Sequence, residues 1–188
     1  MAEPVVSTQA PARSIRFAWP LSLLLGAAIV AVSAQFAVPV PLSPVPMTLQ
    51  GLAVLLVGGL FGAAAGAGAM VLYLVLGIFG LPVFSPLGAP GLARILGPTG
   101  GYLLAFPIAA AVVGRIAQRD HLVRCLLGAL AGMLVIHFGG WAQLTLLTGN
   151  AGSIVSQSIV PLVVQDLLKV VIAAIVLWKA HHALRPRA

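Results

Sequence analysis

The sequence predicts an all-α polytopic membrane protein with six transmembrane helices and both the N- and C-termini in the cytoplasm. Three observations carry that prediction. Of the 188 residues, 61% are hydrophobic and only 7% are charged, and the mean hydropathy is +1.12, which no soluble domain of this size approaches. Apolar stretches alternate with segments rich in turn formers or charge. Most basic residues stand in short flanks of those stretches, and all fall on one side when the spans alternate. The net charge of +7 is therefore topology information, and nucleic acid is not an expected partner. Gly at 21 and Pro at 14 residues suit closely packed or broken helices in lipid. The single cysteine, Cys125, excludes an internal disulfide and a multi-cysteine metal site. No metal or cofactor is expected.

Residues 1–16 read as a flexible cytoplasmic flank and residues 17–184 as one membrane domain. Helix 1 is expected at about 17–38, where Ala27 and Ala31 stand four apart and form a small-residue seam that lets another helix approach. Residues 39–47 follow. Pro39, Pro41, Pro44 and Pro46 exclude an interior helix, and an apolar non-helical stretch must be covered by protein or dip into the bilayer surface. It reads as an outward lid. Helices 2 and 3 are expected at about 48–60 and 62–79, separated by a small-residue tract in which Gly62-x-x-x-Gly66 is a close-packing motif.

Residues 80–99 are dense in Gly and Pro and carry Ser85 and one charge, Arg94. They read as irregular backbone. Helix 4 follows at about 100–116. Arg115, Arg119, Asp120, His121 and Arg124 form a charged connection to helix 5, at about 122–147, which contains His137, Trp141 and Gln143. A lone intramembrane histidine reads as a hydrogen-bonded packing residue. Helix 6 is expected at about 156–182, with Lys179, Arg185 and Arg187 at its end.

Placing Arg13, Arg16, Arg115, Arg119, Arg124, Lys179, Arg185 and Arg187 inside leaves two basic residues out of place. Arg94 falls in an outside connection, and Lys169 falls within helix 6. Asp166 stands three residues before Lys169, so the two share a helix face. An ionised group at membrane depth costs at least ~2.5–3.5 kcal/mol, so the pair needs a reason. It is either a mutually neutralising pair that holds the bundle together or a site that grips a polar ligand, with Gln165 as a nearby amide.

Two cations and one carboxylate suit a small solute bearing a carboxylate and an N–H donor. The candidate site is Arg94, Asp166, Lys169 and Gln143, with Gln50 and Ser85 beside the two connections. Tyr73, Phe84 and Tyr102 are expected to pack an apolar ligand body. The chain has no Gly-x-Ser-x-Gly, His-Glu-x-x-His or Gly-x-x-x-x-Gly-Lys motif, which argues against an enzyme. A stand-alone proton-coupled carrier is the alternative, with Asp166 titrating, but no inverted repeat is evident.

Val45-Pro46-Met47-Thr48-Leu49-Gln50, Gly80-Leu81-Pro82-Val83-Phe84, Gly97-Pro98-Thr99-Gly100-Gly101-Tyr102 and Asp166-Leu167-Leu168-Lys169 resemble the successive signatures of the BioY family, the biotin-binding S components of energy-coupling factor transporters. The resemblance runs from helix 1 to helix 6. It implies a six-helix fold in the cytoplasmic (inner) membrane of a prokaryote, an outward vitamin pocket and a capping loop after helix 1. It also implies a complex with a transmembrane coupling protein, met through Ala27 and Ala31, and with two ATPase subunits. Gln35 stands where that small-residue series would continue.

Overall fold

The computed structural model describes residues 18–41, 43–117, 121–150 and 160–184, with side chains of the last segment from residue 165. The 1–16 flank, Arg119, Asp120, residues 156–159, Arg185 and Arg187 lie outside the described residues. The elements in order are α1 (Trp19–Ala34), β1 (Ala37–Val38), β2 (Met47–Thr48), α2 (Gln50–Phe61), α3 (Ala63–Ile78), α4 (Leu92–Leu96), α5 (Gly100–Ile116), α6 (Leu122–Thr148) and α7 (Val160–Ala183).

The local causes are legible. Pro20 sits in the first turn of α1, where a missing N–H is harmless. Gly62, at φ 85°, separates α2 from α3 with a backbone conformation that favours glycine. Helix α1 stops at Ala34 because the chain turns into β1, which pairs antiparallel with β2 through Ala37–Thr48 and Val38–Met47. That ribbon corrects the all-helical expectation and draws the two ends of the proline-rich segment together. A second correction is α4, a short helix inside the connection expected to be wholly irregular.

Glycine contacts define one end of the bundle. Gly114 of α5 lies on Gly62 and Ala63, Gly128 of α6 lies on Ala117, and Leu177 of α7 packs on Gly59. His181 of α7 contacts the Gly59 carbonyl at 3.2 Å. The α2–α3 junction, the end of α5, the start of α6 and the end of α7 therefore meet. Arg115, Arg124 and Lys179 belong to this end. The opposite end gathers Gln35, the ribbon, the 80–99 connection and Gln143.

Polarity is inverted relative to a soluble fold. Gln50, Ser85, Arg94, Asp166, Lys169 and His181 are buried, whereas Val32, Leu127, Leu134, Phe138 and Leu168 are more than half exposed. This is the distribution that lipid demands. Among the described residues, α6 is the one helix long and apolar enough to cross a membrane, while α1, α2, α3 and α5 are apolar but have 12 to 17 residues.

Candidate binding site

A cavity opens at the end of the bundle opposite the basic residues. Its mostly apolar lining with a few convergent polar groups is that of a small-molecule site. Helix α7 contributes Gln165, Asp166 and Lys169 to its wall, and α6 contributes Met133, Ile136 and His137. Tyr102, Leu103 and Phe106 come from α5, Phe84, Ser85 and Arg94 from the 80–99 connection, and Val45 to Thr48 and Gln50 from the lid segment and α2.

The ionic centre is Asp166. Lys169 Nζ donates to its Oδ1 at 2.6 Å, and His137 Nε2 lies 3.0 Å from its Oδ2. The three-residue helical spacing explains the first contact. His137, expected to be a packing residue, instead stands on the cavity wall as a partner of Asp166. A signal for it exists in α6: Met133, Ile136, Gly140 and Leu144 form a buried stripe at helical spacing, and His137 belongs to that face.

Arg94 is placed differently from a free cation. Its Nη1 donates to the Leu87 carbonyl at 2.6 Å and its Nη2 donates to the Ser85 carbonyl. The guanidinium thus closes the 85–94 segment into a loop. Gly88, at φ 124°, lies directly against it, so a side chain there would meet the guanidinium. Burial lowers the pKa of Arg94 from the ordinary guanidinium value, although a guanidinium stays charged in proteins. Its Nε remains without a partner.

Of the residues expected in the site, Arg94, Asp166, Lys169, Gln50, Phe84, Ser85 and Tyr102 surround this one cavity. Tyr73 and Gln143 do not line it. Tyr73 is fully buried behind the wall, accepts a 2.5 Å hydrogen bond from Gln50 Nε2, meets Phe84 edge-on and stacks on Phe106. Gln143 Nε2 donates to the carbonyls of Ile95 and Gly97 at 2.7 Å each, which ties the α4–α5 turn to α6. Gln143 satisfies carbonyls that the irregular segment leaves to a neighbouring helix, and Tyr73 instead pairs with the Gln50 amide. Ala27 is 3% exposed and Ala31 is half-buried against the same core. Ala27 thus packs within this chain, while Ala31 keeps part of its surface exposed.

Several polar atoms of the wall have no hydrogen-bond partner among the described residues: Tyr102 Oη, Arg94 Nε, His137 Nδ1 and both amide atoms of Gln165. Buried groups of this kind are rare in finished structures. The cavity therefore combines apolar surface with a paired carboxylate, two cations and unsatisfied donors and acceptors, which suits a small amphipathic solute.

A family profile described as the BioY family matches residues 8–186. A protein of Pyrococcus horikoshii named "Probable biotin transporter BioY" is 39% identical over 150 residues, covering 79% of this chain and 87% of the relative. "Biotin transporter BioY" of Thermotoga maritima is 36% identical over 140 residues, covering 74% and 82%. The crystal structure of the S-component for biotin from an ECF-type ABC transporter superposes with a TM-score of 0.75 at 23% identity, covering 87% of this chain and 90% of that one. At that identity the superposition speaks to the fold.

Proposed function

The chain belongs to the BioY family, and on that premise we propose that it is a membrane transport protein that binds biotin in the cavity described above. The observation that carries the reading is the buried Asp166–Lys169 pair, each residue 8% exposed, on the wall of a largely apolar cavity. Biotin is a carboxylate on an apolar chain joined to a cyclic urea with two N–H donors. In this reading Asp166 accepts from the urea, Lys169 supplies a cation, and Phe84, Leu103, Phe106 and Ile136 enclose the apolar body. The chain acts as the S component of an energy-coupling factor transporter in the prokaryotic cytoplasmic membrane, as six spans with both termini inside. Energy then comes from a transmembrane coupling protein and two ATPase subunits on other chains. The test is a binding titration of the purified protein with biotin, its des-thio analogue and its carboxamide. Biotin is expected to bind, and the carboxamide more weakly because it lacks the carboxylate. No binding of biotin refutes the reading.

The proline-rich segment is proposed to close over bound ligand, since Val45, Pro46 and Met47 border the cavity and the β1–β2 ribbon anchors both of its ends. A cysteine at Ser43 in a Cys125-free background is expected to react with an impermeant reagent applied from outside, and biotin is expected to slow that reaction. Shortening the segment should speed release more than it slows entry. A labelling rate indifferent to biotin removes the lid, and labelling only from inside reverses the topology.

A further inference from the structure

We propose that Gln165 reads the urea edge of the ligand through a two-point hydrogen bond, an inference that rests on the biotin reading. Gln165 stands on the cavity wall, and its Oε1 and Nε2 are both buried with no hydrogen-bond partner among the described residues. Its neighbours differ. Asp166 holds two partners, Lys169 one, Gln50 contacts Tyr73 and Thr48, and Arg94 holds two carbonyls. Gln165 is the one wall side chain for which both a donor and an acceptor atom are buried without a protein partner among the described residues, and Tyr102 Oη and His137 Nδ1 add one such atom each.

The chemistry of the two unsatisfied atoms identifies the complement. A primary amide presents an acceptor and a donor side by side, and a cyclic urea presents a donor and an acceptor side by side along each N–H/C=O edge. The two form a pair of parallel hydrogen bonds. Asp166 offers acceptors alone and Lys169 donors alone, so neither can make that contact by itself. Gln165 stands four residues and Asp166 three residues before Lys169, so each is a helical neighbour of Lys169, and all three line the cavity. Asp166 then takes the urea N–H left free, and Gln165 makes the site specific for a ring that carries N–H beside C=O.

The experiment titrates biotin, and biotin methylated at one ureido nitrogen, into the parent protein, Gln165→Met and Gln165→Asn, with thermal unfolding of each protein without ligand. Gln165→Met keeps the volume and removes two unsatisfied polar atoms, so ligand-free stability is expected to hold or rise. Its biotin affinity is expected to fall about tenfold or more, as is that of the shorter Gln165→Asn. The parent's preference for biotin over the methylated analogue is expected to shrink in Gln165→Met. A folded variant of either kind that binds biotin like the parent overturns the inference while leaving the biotin reading intact. A Gln165→Met protein that fails to fold also overturns it, since the amide would then have had a structural role. A parent that does not bind biotin refutes both.

Discussion

Asp166→Asn combined with Lys169→Met is expected to yield a protein that folds and inserts but binds biotin at least about tenfold more weakly than the parent. The two single truncations are expected to be worse for stability than the double. Among the described contacts, Lys169 Nζ has Asp166 as its partner, whereas Asp166 also has His137 at 3.0 Å. Asp166→Ala therefore strands a buried ammonium, and breaking a buried pair from one side costs on the order of 3–5 kcal/mol. Lys169→Ala leaves a carboxylate that still has His137, so its loss of yield should be smaller. Replacing both charges removes the desolvation cost with the attraction, and such exchanges are often neutral for folding. Binding separates the alternatives: an ion pair that only holds α7 in the bundle predicts a double variant with the parent's affinity. Calorimetric titration of a monodisperse double variant decides it, and parental affinity sinks the site.

The parts of this arrangement that could be read from the chain share a physical cause. Charge in lipid is costly enough that Asp166, Lys169 and Arg94 stand out without any structure, and their neighbourhood in one cavity follows from the topology that the other basic residues imply. Uncharged polar residues give no such signal. Gln143 reads as a ligand contact because it lies toward the end away from the arginines, and Tyr73 because an aromatic ring can pack an apolar ligand body, whereas Gln143 holds the Ile95 and Gly97 carbonyls and Tyr73 holds Gln50. Which acceptor a glutamine finds depends on how an irregular segment folds, and periodicity does not report that. His137 reads as a packing residue for the same reason, because its partner Asp166 lies on another helix.

The limits in the fold have similar roots. The β1–β2 ribbon has two residues per strand, too few for alternation to register. It also shortens helix 1, expected to run to about Val38, to end at Ala34. The break between α2 and α3, by contrast, falls at Gly62, whose φ of 85° favours glycine, within a glycine tract visible in the sequence. Ala27 illustrates a further ambiguity: a small-residue seam announces close helix contact but not with which helix. Here Gly26, beside it, approaches Ala69 of α3 and Val57 of α2.

Gly139→Val is expected to destabilise the protein by on the order of 3 kcal/mol and to weaken ligand binding with it. Helix propensity alone predicts the opposite sign, since Gly is worse than other residues inside a helix by up to ~1 kcal/mol. Packing decides the matter. A Cβ at Gly139 would stand within 3.0 Å of the Gly101 carbonyl and the Ala105 side chain, and one at Gly101 would meet the Gly139 backbone in return. Helices α5 and α6 thus touch backbone to backbone, and neither side has a flexible group that can yield. One residue on, the Tyr102 ring packs directly against Gly140, where a Cβ would overlap it, so the same seam holds Tyr102 on the cavity wall. Gly51→Ala is the matched control inside the same site: its Cβ would meet only Met133, at 3.5 Å from Cε, an ordinary contact with a flexible side chain. It is expected to be neutral or to stabilise by up to ~1 kcal/mol. Thermal unfolding in detergent compares the two, and a Gly139→Val protein as stable as Gly51→Ala would mean that α5 and α6 do not meet at this seam.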